Sequence, residues 1–154
     1  MSVCMCAYSK HTLVLLNDGN IIPISELKEG DVLGVPFDAE NDVKEFPVVK
    51  GFSYQSDTEL NTYVTLVSSL GTSVSATSEQ LIYASKGCES PYELVEIEEV
   101  CRKDCIVHYG HNLIARVVQK FSWNEEGVYT PIISTEQFYV TNDPFKTPIL
   151  VSSK

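Results

Sequence analysis

Apolar residues in this chain recur in short alternating or continuous runs, and helical spacing is rare. Leu13-Val-Leu-Leu16, Tyr63-Val-Thr-Leu-Val67, Leu81-Ile-Tyr83 and Phe138-Tyr-Val140 are typical, with Gly, Asn, Asp and Pro between such runs. Runs of this length, rich in Val, Ile, Thr, Tyr and Phe, predict many short strands. Asn17-Asp-Gly-Asn20 predicts a tight hairpin turn, because Asp-Gly tolerates positive φ, and Gly110-His-Asn112 predicts a second. Residues 37–43 are polar and read as a loop tip. No linker divides the chain, so a single all-β domain spanning residues 1–154 is expected.

The chain also resembles itself. Ile24-Ser-Glu-Leu-Lys-Glu-Gly-Asp-Val-Leu33 matches Ile97-Glu-Glu-Val-Cys-Arg-Lys-Asp-Cys-Ile106 in the pattern Ile-x-Glu-apolar-x-x-x-Asp-x-apolar. Val48-Val-Lys-Gly-Phe-Ser-Tyr54 matches Val117-Val-Gln-Lys-Phe-Ser-Trp123, and Tyr63-Val-Thr-Leu-Val-Ser-Ser69 matches Tyr129-Thr-Pro-Ile-Ile-Ser-Thr135. The three matches keep one order in each half. Two copies are too few for a solenoid, so the pattern predicts two intertwined, pseudo-symmetric β halves.

Charge narrows the function. Lys and Arg number 11 against 21 Asp and Glu, a formal net charge of −10. Nucleic acid and anionic membrane surfaces both call for a clustered basic face, so neither is an expected partner. The acidic residues between 89 and 99, and Glu125-Glu126, read as a solvated face. No apolar run approaches the roughly 20 residues of a membrane-spanning helix, and the first residues contain no secretory apolar region. The five cysteines (Cys4, Cys6, Cys88, Cys101 and Cys105) are odd in number, which does not read as a disulfide framework and predicts at least one free thiol.

Three blocks carry a family resemblance. The first runs from Cys6-Ala-Tyr-Ser-Lys-His-Thr12 through Leu13-Val-Leu-Leu16 and Asp18-Gly19 to Ile24-Ser-Glu-Leu27 and Gly30-Asp-Val-Leu33. The second is Gly71-Thr-Ser-Val-Ser-Ala-Thr77-Ser-Glu-Gln80-Leu-Ile-Tyr83. The third runs from Arg116-Val-Val118 through Gly127-Val-Tyr-Thr-Pro-Ile132 to Phe138-Tyr-Val-Thr141. Together they resemble the Hint domains, the self-processing fold of inteins and of hedgehog C-terminal domains, and the third block is closer to the hedgehog type. The resemblance implies a flat, pseudo-two-fold β disc with a Hint core over residues 6–154 and a residual upstream segment at 1–5.

The resemblance also implies a reaction. Cys6 matches the nucleophile that attacks the carbonyl of the preceding residue, here Met5, to give a thioester. Thr77 matches the threonine that holds the scissile amide. The family's histidine position carries Gln80, which can donate a hydrogen bond but cannot act as a general acid near neutral pH. Where hedgehog domains place an aspartate that activates a sterol hydroxyl, this chain has Tyr54, and Asp57 three residues on could substitute if the loop bends suitably. The implied partner is the chain's own upstream polypeptide, with a small nucleophile or a sterol as acceptor. A monomer without cofactor is expected.

Competing readings remain beside these. Cys4 is two residues too far from Thr12 to match the family spacing. Cys101-x3-Cys105-x2-His108-x2-His111 offers zinc-ligand types, but its cysteines align with Lys28 and Val32 of the first repeat, and no metal is expected. His111-Asn112 resembles an intein terminus, yet the last block follows it, so a hairpin turn is the expectation. Tyr54 and Trp123 are expected to pack the core or flank of paired strands. The alternative function is a non-catalytic Hint-fold binding module, suggested by Gln80.

Overall fold

The computed structural model describes residues 6–35, 46–110 and 113–154. Among these the strands are β1 (Leu13–Leu15), β2 (Ile21–Pro23), β3 (Val49–Ser68), β4 (Ser73–Ala76), β5 (Leu81–Ser85), β6 (Glu93–Glu96), β7 (Cys105–His108), β8 (Leu113–Ile133), β9 (Gln137–Thr141) and β10 (Ile149–Ser152). They form one antiparallel sheet in the order β2-β1-β9-β10-β5-β7-β8-β3-β4, with β6 paired to β5. Short 3-10 turns complete the regular structure, and no helix among the described residues is long and apolar enough to cross a membrane. The all-β expectation holds.

The internal repeat is physical. Ile24 and Ile97 are fully buried and each opens a 3-10 turn, closed by Leu27 N–H on the Ile24 carbonyl and by Val100 N–H on the Ile97 carbonyl. Further along each copy, the Asp31 carboxylate accepts from Lys28 N–H at 2.8 Å and the Asp104 carboxylate from Cys101 N–H at 2.9 Å. Leu33 and Ile106, at the end of each copy, have no exposed surface and meet in the main core. The halves exchange across the long ribbon of β3 and β8. Phe52 pairs with Pro131 and Thr65 with Phe121, and the repeat maps each pair onto the other.

The start of the second repeat block is displaced by one residue. Val49, rather than Val48, is the counterpart of Val117: both are buried, and each donates its N–H to the repeat aspartate's carbonyl, at 2.9 Å on Asp31 and 3.0 Å on Asp104. The ribbon has register shifts at Val49/Gly51 and at Val67/Ser68. An extra residue at a bulge breaks the count on which sequence matching relies.

The middle of the ribbon extends past the core, and most residues from 53 to 60 and from 121 to 126 are solvent-facing. Tyr54 and Trp123 therefore flank the sheet instead of filling it. The Asn17-to-Asn20 turn closes β1 on β2 as expected, with Gly19 at φ +90°, a conformation that favours glycine. Gly110 closes β7 on β8, and His111 and Asn112 lie outside the described residues, as do Cys4, Met5 and the 37–43 loop.

One bond was not foreseen. Cys88 and Cys105 form a disulfide across a sequence separation of 17, while Cys6 and Cys101 are free. Ser85 pairs with Cys105 between β5 and β7, and the turn Lys86–Cys88 brings Cys88 back over that pair. An odd cysteine count does not reveal this, because the proximity is made by strand pairing.

Candidate functional site

The segment from Cys6 to Ser9 lies between β4 and β8. Tyr8 bridges Ala76 on one side and Tyr129 on the other, with paired backbone hydrogen bonds of 2.9 and 3.0 Å to Tyr129. The Tyr8 ring is fully buried edge-on to Phe138, and its phenol donates to the Ser152 carbonyl at 2.6 Å. Burial pushes that phenol well above its ordinary pKa, with a further upward contribution from Cys6. The backbone next to Cys6 is thus fixed by the core.

Thr77 holds the adjoining residue from the other side. Ala7 N–H donates to Thr77 Oγ1 at 3.0 Å, and Thr77 N–H donates to the Ala7 carbonyl at 2.9 Å. The Cys6 carbonyl accepts from Thr130 Oγ1 at 2.8 Å. The half-buried Cys6 thiol points toward the Glu79 carbonyl, with Sγ 3.8 Å from that oxygen. A groove of about 450 Å³ borders this point, lined in part by Asn61, Thr77, Glu79 and Glu98.

Gln80 is buried directly beyond Glu79. The turn that contains it is closed by Gln80 N–H on the Thr77 carbonyl at 2.9 Å, and Ile97 and Glu98 of the second repeat brace it with backbone hydrogen bonds. Its side-chain Nε2 lies within hydrogen-bond distance of three carbonyls: Lys154 at 2.6 Å, Ser152 at 2.9 Å and Leu81 at 3.2 Å. Tyr8 and Gln80 therefore meet the same Ser152 oxygen. The region around Cys6 and the end of β10 are drawn to one place.

Cys6, Thr77 and Gln80 come together; Asp57 stands apart. It is exposed on the ribbon, within the irregular stretch between Ser56 and Leu60. Tyr54 pairs in register with Thr130, whose hydroxyl reaches the Cys6 carbonyl. Thr130 and Tyr8 lie inside the blocks that carry the resemblance, but nothing in their spacing singled them out for this role.

The zinc-like run is divided between separate environments. Cys105 is in the disulfide, Cys101 is exposed, and His108 is buried with Nε2 2.9 Å from Ser68 Oγ. Burial lowers the His108 pKa to about 4, only partly opposed by the Ile106 carbonyl, so the ring is neutral at physiological pH.

No family model matches the chain, and no curated protein sequence matches it. Solved structures do. A bacterial intein-like domain from Clostridium thermocellum has 18% identity over 97% of this chain and 99% of its own, with a TM-score of 0.72. The DnaB intein from Synechocystis sp. has 18% identity over 97% and 99%, with a TM-score of 0.71. The gp41-1 intein has 16% identity over 96% and 98%, with a TM-score of 0.68. At such identities the likeness is one of fold, and the fold is the Hint fold of inteins and intein-like domains.

Proposed function

We propose, taking the Hint fold as premise, that this domain processes its own flanking polypeptide at the Met5-Cys6 bond. Cys6 Sγ attacks the Met5 carbonyl carbon, the bond to the Cys6 nitrogen breaks, and the thiol proton ends on the freed amine. The product is a thioester that a second nucleophile displaces, releasing the upstream segment and regenerating the Cys6 thiol. The supporting observation is the reciprocal pair of hydrogen bonds between Ala7 and Thr77. It immobilises the backbone on the leaving-group side of the scissile bond, the kind of positioning that lowers the entropic part of a barrier.

Gln80 limits the rate. It can orient and hydrogen-bond, but it supplies no proton to the departing amine, so the reaction is slow without added nucleophile. The acceptor is a small nucleophile, with a sterol hydroxyl as the hedgehog-type case, in which Asp57 would have to swing toward Cys6. The domain acts as a monomer.

A second reading has its own observation. Gln80 Nε2 is engaged by three backbone carbonyls, two of them at Ser152 and Lys154, which is the role of a structural tie. On that reading the domain keeps the fold as a non-catalytic binding module.

Intact mass spectrometry of a chain with a reporter protein fused ahead of Met1 separates the two. Loss of the reporter on addition of thiol or hydroxylamine, absent in Cys6→Ala, supports self-processing. Unchanged mass over days in both proteins sinks it and leaves the binding module.

A further inference from the structure

A second site lies on the ribbon, away from the Cys6 thiol. A cavity of about 260 Å³ is lined by residues that include Ser9, His11, Phe121, Trp123, Glu125 and Asn142. Ser9 Oγ, Asn142 Oδ1 and Glu125 Oε2 are buried without a hydrogen-bond partner among the described residues, and Glu125 Oε1 faces His11. The Glu125 side chain is 10% exposed, with His11 Nε2 2.8 Å from its Oε1. Asn142 is fixed by its Nδ2, which donates to Ser75 Oγ at 3.0 Å and leaves Oδ1 unpaired. Burial pushes the Glu125 carboxyl up, against downward pulls from His11 and Lys10.

These residues come from three separate segments: the stretch before β1, β8, and the residue after β9. Leaving buried oxygens without donors is unfavourable, so their concentration around one cavity calls for an occupant rich in N–H groups. The walls restrict what it can be. Phe121 and Trp123 stand edge to face with centroids 6.1 Å apart, and both are partly exposed. Aromatic faces attract organic cations and accept an aliphatic stem, and they offer nothing to a hydrated metal ion.

We propose that this cavity binds a primary alkylammonium group, with Glu125 as its counter-ion and Ser9 and Asn142 as its neutral acceptors. An ammonium carries three donors and no acceptor, which matches a site of unpaired oxygens. Its stem lies along Trp123 and Phe121. The group comes from a lysine side chain of a polypeptide or from a free amine, and the chemistry of recognition is the same for both.

Trp123 is the chain's single tryptophan, so its fluorescence reads the cavity directly. Titration with n-butylammonium and with N-acetyl-lysine methylamide gives a saturable change, and the uncharged N-butylacetamide gives none. Saturation by the lysine amide alone assigns the site to a polypeptide lysine, and saturation by butylammonium alone assigns it to a free amine. Glu125→Gln weakens binding by about tenfold or more, whereas Glu126→Gln, at an exposed neighbour, does not. Should Glu125→Gln fail to fold by circular dichroism, amide NMR of the wild-type chain decides, with shifts expected at Ser9 and at the Asn142 side-chain amide. No saturable response to either ammonium, an equal response to the uncharged amide, undiminished binding by folded Glu125→Gln, or shifts confined to other residues would each overturn the proposal.

Discussion

Thr77 and Ala7 hold each other reciprocally, Ala7 N–H on Thr77 Oγ1 at 3.0 Å and Thr77 N–H on the Ala7 carbonyl at 2.9 Å. Seventy residues of chain separate them, yet the pair fixes the residue next to Cys6. Thr77→Val keeps the shape and removes the acceptor, leaving the buried Ala7 N–H unpaired. A loss of about 1–3 kcal/mol in urea unfolding is expected, with reporter release reduced further than stability alone explains. Thr77→Ser should restore both.

Gln80→His tests whether the site is poised for chemistry. An imidazole here can keep one hydrogen bond to the Ser152 or Lys154 carbonyl and still offer a proton to the leaving amine. General acid catalysis of this kind contributes roughly 10²–10⁴-fold, so faster thiol-dependent cleavage, followed by intact mass, is expected. Gln80→Leu strips the tie instead. It should cost about 1–3 kcal/mol, because the carbonyls it serves lose a donor.

The acid limb of stability should have two windows. His108 has a folded pKa of about 4, below its unfolded value, so the unfolded state binds the extra proton first. Its contribution is intact above about pH 6.5 and falls away as the pH drops toward 4, by roughly 3 kcal/mol in all. Burial alone would raise Asp104, but N–H donors from Cys101 and Gly87 and the Lys86 ammonium prevail and bring it to about 2. The stability from that depressed pKa is present above about pH 4 and is lost as the pH falls through 2. Unfolding free energy measured against pH checks both, and His108→Gln should flatten the upper window alone.

Opening the Cys88–Cys105 bond releases a loop constraint of 17 residues. A stability loss of about 3 kcal/mol is expected on the chain-entropy account, seen as a lower Tm in reductant. Cys88→Ser should show the same loss and no further response to reductant. The same chemistry bears on the processing assay, since an added thiol reduces this bond while it attacks a thioester. Hydroxylamine cleaves a thioester without reducing the disulfide, so agreement between the two reagents separates the effects.

The sequence alone determined the all-β architecture, the two-fold repeat and the blocks containing Cys6 and Thr77. These rest on local patterns: short apolar runs, turn residues such as Asp18-Gly19, and the twice-used aspartates Asp31 and Asp104, whose hydrogen bonds close within three residues. Only the tertiary structure decided that Thr130 would serve the Cys6 carbonyl, 124 residues away, and that Gln80 would be tied to Ser152 and Lys154, 72 and 74 residues on. It likewise decided the disulfide, the one-residue slip at Val49 and Val117, and the cavity around Glu125. Each depends on which strands lie side by side and where bulges fall. Contacts between distant residues are set by the packing of whole elements, and no spacing along the chain records them.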